Sequence, residues 1–445
     1  MTIDFPHRRI RSILKQLLEA GLAAADPNEA VRKALETSGE TLRIGTRRYN
    51  LSRFNRIMCV GAGKASGYMA LAVEELLGRR LGGGMVVVKK GYGCRTSSIR
   101  IREAGHPTPD KRSVRAGQDI LKLVGSLTRD DLLLVLLSGG ASSLLVAPAP
   151  DIRLRDQQIA TRLLLRSGAG IDEINVVRKH LSSIKGGRLA EATSASLISL
   201  VLSDVIGNDL STIGSGPTVP DPSTFHDAFT ILEAYDLWKR VPQSVRVHIQ
   251  QGLRGLVPET PKARSRVFRR AFHHLIGDNR LSVQGLARRA MAMGLHSLIL
   301  TTAFSGDARE GGKMVGAVAR EIHLYGRPIR RPACLILGGE LTVTVQGAGK
   351  GGRAQEFALS AAQEIAGMPN LFVAGFGTDG IDGLTEAAGA VVDGRTVRRA
   401  RQSRVDIAKI LRRNDSESFF KKVGGHIVTG PTGTNVNDIY LVLAL

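Results

Sequence analysis

Lys64 and Arg353 stand in the two settings best suited to handling a phosphate. Lys64 lies in Gly61-Ala62-Gly63-Lys64-Ala65-Ser66, after an apolar stretch at residues 56–60 and before a helical pattern. At such a strand–glycine–helix junction, orphan backbone N–H groups and the helix dipole both favour an anion. Arg353 closes Gly347-Ala348-Gly349-Lys350-Gly351-Gly352-Arg353, where four glycines and two cations lead into a helical pattern at 354–366. It is the stronger of the two, because a guanidinium at a helix start can grip an oxyanion in a fork. A third run, Ser138-Gly139-Gly140-Ala141-Ser142-Ser143, follows six apolar residues (132–137) of a length suited to a strand buried on both faces. Its glycines open backbone angles closed to other residues and its serines offer hydroxyls. It can cradle a carboxylate or phosphate, although a plain βα turn has the same signature.

Carboxylates and amides complete the chemistry. Asp204 directly follows the apolar run 197–202, at the carboxyl end of a strand, where open parallel sheets bind ligands. It is a candidate base or metal ligand, with helix capping as the plain alternative, and Asn208 four residues on is a candidate substrate contact. Asp379 and Asp382 share the turn Gly377-Thr378-Asp379-Gly380-Ile381-Asp382-Gly383, a cation site or a capped turn, and Asp379 is the second metal candidate. Lys185 and Arg188, with Arg178 and Lys179, form an anion clamp or a basic surface, while Asn279 is a cap or a ligand. The loop 214–224 carries three prolines, which favours an ordered loop over a cleft.

Two other nucleotide sites fit poorly. Gly61-x-Gly63 matches the first two glycines of a dinucleotide fingerprint, but Ser66 stands at the third, and strand 85–88 ends in Lys89-Lys90 instead of an acid. Those lysines would suit a 2′-phosphate, so an NADP-type reductase remains an alternative. A Walker A loop fails at Met58 and Ala65.

The elements that position these residues alternate. Apolar strands followed by glycine turns and helices recur from residue 56 to 202 and again from 272 to 337. Gly338-Gly339-Glu340 reads as a turn into a β-branched strand at 341–345, a change to antiparallel pairing. Helices at 10–25 and 27–35 read as packing elements. At 445 residues the chain suits two domains, divided at 1–250 and 251–445. The net charge of +22 raises nucleic-acid binding as a second alternative. Apolar residues at helical spacing within the Arg-rich runs, and only 4% aromatics, argue for solvated helix faces instead. Three cysteines without metal-ligand spacing, no signal-peptide core and no membrane-length apolar run predict a cytoplasmic protein.

Together the stretches GAGKAS (61–66), EAGHPTPD (103–110), LSGGASSLL (137–145), NVVRKHLSSIKGGRLA (175–190), SDVIGNDLSTIGSGPTVPDPSTF (203–225), GGELTVTVQGAGKGGRAQEFALSAA (338–362) and GFGTDGIDGLTEAAGAVVD (375–393) resemble the type II glycerate kinases in family order. The resemblance implies an α/β protein with an N-terminal Rossmann-like parallel sheet and a C-terminal α/β domain of MOFRL type with a mixed sheet. It places the active site in the cleft between them. It further implies ATP-dependent phosphorylation of D-glycerate at its 2-hydroxyl, with ATP and Mg²⁺ as the expected cofactors; a homodimer is a candidate assembly that these residues do not fix. Some relatives have carried the name hydroxypyruvate reductase. Lys64 and Arg353 are then expected to be catalytic, with Asp204 as base or Mg²⁺ ligand. Ser138, Gly139, Gly140, Ser142, Lys185, Arg188, Asn208, Asn279, Gly351 and Gly352 are expected to bind substrate or phosphate.

Overall fold

The first helix, Arg8–Ala24, sets how the chain divides. Its buried face, Ile10, Leu14, Leu17 and Leu18, packs with Val283, Leu286 and Ala290 of helix Asn279–Ala292. In the computed structural model, which describes residues 1–445, one compact unit therefore joins Met1–Asp26 to Gly277–Leu445, and the other is Pro27–Ile276. The contiguous division at residue 250 differs at both ends. An amphipathic pattern shows that a helix buries a face but not what lies against it. Residues 251–276 stay with the middle unit because strand Ala271–Gly277 is an edge of its sheet.

The Pro27–Ile276 unit is Rossmann-like. Its six-stranded sheet runs, in spatial order, Ala271–Gly277, Ser196–Leu202, Asp131–Leu137, Arg56–Ala62, Leu81–Lys89 and Ile99–Ala104. The four pairings from Ser196–Leu202 to Ile99–Ala104 are all parallel. From Arg56–Ala62 the chain steps outward twice, then returns to the other side of that strand. The topological switch point thus falls between Arg56–Ala62 and Asp131–Leu137, where such sheets open a crevice at their carboxyl ends. All seven residues of Asp131–Leu137 are buried, as a strand covered on both faces requires. Helices Leu154–Arg166, Ile171–His180, Phe225–Ala234 and Gln243–Leu253 build a separate core around Leu164, Val177, Phe225 and Leu232. A small antiparallel sheet, Leu35–Ser38, Thr41–Ile44 and Arg47–Asn50, was not expected; its strands are short and mostly polar.

The other unit has a seven-stranded mixed sheet with a core on each face. Alternation along Ala333–Thr342 explains the layering: Cys334 and Ile336 join the core under helices Arg8–Ala24 and Asn279–Ala292, and Leu335 and Leu337 join the core under Ala308–Tyr325 and Arg353–Glu364. This strand runs straight through Gly338-Gly339-Glu340, so the expected turn there is absent. The glycines serve close approach. A Cβ on Gly339 would strike the backbone of Phe304 on the neighbouring strand His296–Asp307. No helix of the protein is long and apolar enough to cross a membrane.

Asp131 anchors the central strand at its start. Its buried carboxylate accepts from Arg56 Nε at 3.1 Å and Nη2 at 2.7 Å and from the Thr128 amide at 2.7 Å, which, with Arg56 foremost, holds its pKa down at about 2. A folded-state pKa below the unfolded value gives stability that is present above about pH 4 and lost as pH falls through the folded value. Asp131→Asn should melt at a lower temperature than wild type at pH 7, with the gap closing as pH drops toward 2. A gap that stays constant over that range would show that the carboxylate's charge is not what anchors the strand.

Candidate active site

At the switch point, two glycine turns are tied together by one hydroxyl. Ser138 Oγ accepts the Ala65 amide at 3.0 Å and lies 2.9 Å from Ser66 Oγ, whose proton is directed at the Leu136 carbonyl (3.3 Å). The Lys64 amide donates to Gly139 O at 2.8 Å and the Ser138 amide to Ala62 O at 3.1 Å. Gly63, at φ 144°, leaves room for Ser138 that a Cβ would fill. Ser138 was expected to bind substrate, but it is fully buried and its hydroxyl is spent holding the Lys64 turn. Gly140 takes φ 87°, and the amides of Gly139, Gly140 and Ser142 make no hydrogen bond within the chain, so this stretch can receive an anion. Gly140 lies beside both Lys64 and the His106 ring.

The four basic residues near this turn separate by partner. Lys179 pairs with buried Asp221 at 3.2 Å, and Arg188 donates to the Pro258 carbonyl at 2.9 Å and lies 3.9 Å from Glu191. Arg188 therefore braces a connector, while its buried Nε has no hydrogen-bond partner. Lys185 is different: only 4% exposed, it gives its ammonium to Ser142 O at 2.8 Å and reaches Gly214 O at 3.5 Å, with no carboxylate in contact. Burial, reinforced by the charge of Arg178, pulls its pKa down to about 7. Ser142 Oγ lies 3.1 Å from Ser215 Oγ, which donates to Asn175 Oδ1 at 3.1 Å, so the turn is coupled to helix Ile171–His180.

In the other unit, Arg353 opens helix Arg353–Glu364 and is gripped by two carboxylates. Asp438 takes Nε at 2.6 Å and Nη2 at 3.1 Å, Glu340 takes Nη1, and the Tyr440 hydroxyl donates to Asp438 at 2.8 Å. Burial works against the guanidinium's charge, but Asp438 and Glu340 outweigh it and hold the pKa above its ordinary value. The glycine run before it is less open than its sequence suggests. The amides of Gln346 and Gly347 donate to Asn414 Oδ1, that of Gly349 to Arg413 O and that of Lys350 to Asp415. At the helix start itself, the buried carboxylate of Asp382 accepts the Ala354 amide at 3.0 Å and the Gln355 amide at 2.9 Å. The place offered to a phosphate is thus largely taken by a side chain. A Cβ on Gly352 would strike Asp382, and one on Gly351 would strike Ser416. Within the run and the helix start, the amides of Ala348, Gly351, Gly352 and Arg353 are without a hydrogen bond within the chain.

Asn279 is not a cap: Asp278 caps its helix, accepting the Leu281 amide at 3.1 Å. Its side-chain Nδ2 donates to the carbonyls of Val436 (2.7 Å) and Asp438 (3.0 Å), steadying the segment that carries Asp438, while its buried Oδ1 has no hydrogen-bond partner. Asp204 is half-buried just past Ser196–Leu202, in a turn fixed by Ser203 Oγ accepting the Val205 amide at 3.1 Å. Asn208 follows with φ 58°, its amide on Val205 O. Asp379 accepts the Ile381 amide at 3.1 Å. Asp204 and Asp379 belong to different units, and no three acidic, histidine or cysteine side chains converge as a metal site.

Glu340, Asp438 and Tyr440 were missed. Glu340 was hidden by reading its glycines as a turn. Asp438 stands at the start of the last strand, Asp438–Ala444, which runs antiparallel to Ala333–Thr342 and so delivers its first residue to that strand's carboxyl end. An acid opening an apolar strand was the available signal.

Residues 13–250 match the model of a domain of unknown function (DUF4147), and residues 333–438 match the MOFRL family. A glycerate 2-kinase from Pyrococcus horikoshii is 42% identical, covering 98% of this chain and 97% of its own. A D-glycerate 2-kinase from Thermotoga maritima is 39% identical over 99% of both chains, and a putative hydroxypyruvate reductase from Agrobacterium vitis is 40% identical over 97% of this chain and 94% of its own. The crystal structure of a glycerate kinase from Thermotoga maritima superposes with a TM-score of 0.84 at 38% identity, covering 99% of this chain and 100% of that one.

Gly140→Ala should destabilise the protein twice over, through the left-handed backbone, which costs about 1–2 kcal/mol, and through a Cβ placed 2.9 Å from His106 Nε2. Gly39→Ala is the control, since Gly39 also has positive φ but nothing within 4 Å. The melting temperature should fall further for Gly140→Ala; equal losses would mean that His106 simply moves aside.

Proposed function

Because the chain belongs to the glycerate kinase family that joins a DUF4147 domain to a MOFRL domain, we propose that it transfers the γ-phosphoryl group of ATP to the 2-hydroxyl of D-glycerate. The observation that carries the reading is the lysine-bearing turn at the switch point of a Rossmann-ordered sheet, held against a second turn with open amides. Phosphoryl transfer asks a protein chiefly to position reactants and to neutralise charge. Lys64 supplies a point charge for phosphoryl oxygens. Arg353 supplies a planar fork whose direction is fixed by Asp438 and Glu340.

The glycerate 2-oxygen attacks the γ-phosphorus as the bond to the β-bridging oxygen breaks, so ADP leaves and the hydroxyl proton passes to a carboxylate. Asp204, half-buried at a strand end, is the group proposed to take that proton or to hold Mg²⁺. A single carboxylate together with phosphate oxygens would suffice to hold Mg²⁺. Asp379 is the second candidate ligand. When bound, the ion would neutralise phosphate charge. Gly139, Gly140 and Ser142 supply amides for an anionic group, and Gly351 and Gly352 do so beside Arg353.

A coupled ADP assay over small hydroxy acids, with product analysis for 2-phosphoglycerate, tests this directly. Lys64→Ala and Arg353→Ala should each lower kcat by about 10²–10³-fold with the fold intact by circular dichroism. Near-normal turnover in either variant would remove that residue from the chemistry. One relative carries a reductase name, so the assay includes NADPH and hydroxypyruvate; oxidation of NADPH without glycerate-dependent ADP would overturn the kinase reading.

A further inference from the structure

Arg178 and Lys185 are two cations held inside the Pro27–Ile276 unit with no carboxylate in contact with either. Arg178 is half-buried and makes no hydrogen bond or ion pair, and burial pulls its pKa below the ordinary value. Buried cations are costly unless paired, and the neighbouring Lys179 shows the usual solution in its contact with Asp221. Resting on the kinase reading, we propose that Arg178 and Lys185 form the subsite that binds the carboxylate of the hydroxy-acid substrate.

The position agrees. Asn175 and Arg178 are three residues apart on helix Ile171–His180 and so share a face. Asn175 is joined through Ser215 to Ser142 in the glycine turn, and Lys185 donates to the carbonyl of that same Ser142. The chemistry agrees as well. The ammonium of Lys185 has three protons and two carbonyls within reach, at 2.8 and 3.5 Å, which leaves a donor for one oxygen of a small anion. The guanidinium of Arg178 presents a planar fork, the complement of a planar two-oxygen carboxylate.

Steady-state kinetics with both substrates varied separates the possibilities. Arg178→Met and Lys185→Met should each raise KM for D-glycerate tenfold or more and leave KM for ATP within twofold. Arg178→Lys, which keeps the charge and loses the fork, should fall between. A tenfold rise in KM for ATP with KM for glycerate unmoved would overturn the proposal in favour of a phosphate site, and unchanged constants for both would overturn it outright. Should Lys185→Met fail to fold, Arg178→Met and Arg178→Lys carry the test. Calorimetric titration of the wild-type chain with D-glycerate, glycerol and inorganic phosphate reads the subsite without turnover. Binding of glycerate but not glycerol, lost in Arg178→Met, supports it even if no ADP forms and the kinase reading fails. Binding of phosphate alone overturns it.

Discussion

The hydroxyl of Ser138 joins the ends of two adjacent parallel strands, and the Lys64 turn depends on that joint. It receives the Ala65 amide and meets the Ser66 hydroxyl, so one buried oxygen holds the entry to helix Ser66–Leu77 and fixes the glycine turn that carries Lys64. Buried polar groups must find partners, and a serine at the end of a strand is small enough to serve both neighbours. The price of that arrangement is geometric: Gly63 has to stay a glycine for Ser138 to fit. The switch point of the sheet locates the crevice, while this single contact sets the distance between its two rims.

The second unit answers the same problem with a carboxylate. Asp382 fills the start of helix Arg353–Glu364, and Asp438 and Glu340 flank the arginine that opens it. A helix N-terminus attracts negative charge whatever its source. With Asp382 seated there, the helix serves as a mount for Arg353, and the guanidinium rather than the helix dipole faces any oxyanion. The two units thus present positive charge by different means, one through a lysine beside open amides and one through a fork held by acids.

Much of this was legible in the sequence. Apolar runs ending in glycine and serine located the parallel strands, and Lys64, Gly139, Gly140 and Arg353 occupy the turns or helix start that their spacing indicated. What could not be read was the traffic between distant segments. Ser138 looked like a ligand because its partners, Ala65 and Ser66, are over seventy residues away in the chain. The run 347–352 looked like a phosphate loop because nothing local reveals that Asn414, Arg413 and Asp415 take its hydrogen bonds and that Asp382 takes those of the helix start after it. Arg178 and Lys185 were visible as charges, but a charge in a sequence does not disclose whether it is solvated, and burial is what gives these two their meaning. Glycines at 338–339 mark a close approach between strands, a use that shares its sequence signal with a turn.

The joining of both chain ends in one unit has a consequence for biosynthesis. The Pro27–Ile276 unit has its whole sequence outside the ribosome before the other is complete, whereas helix Arg8–Ala24 emerges first and finds its partner, Asn279–Ala292, only after about 250 further residues have been made. For that interval its row of leucines has no native surface to cover it. Burial of its apolar face therefore waits until translation reaches its mate.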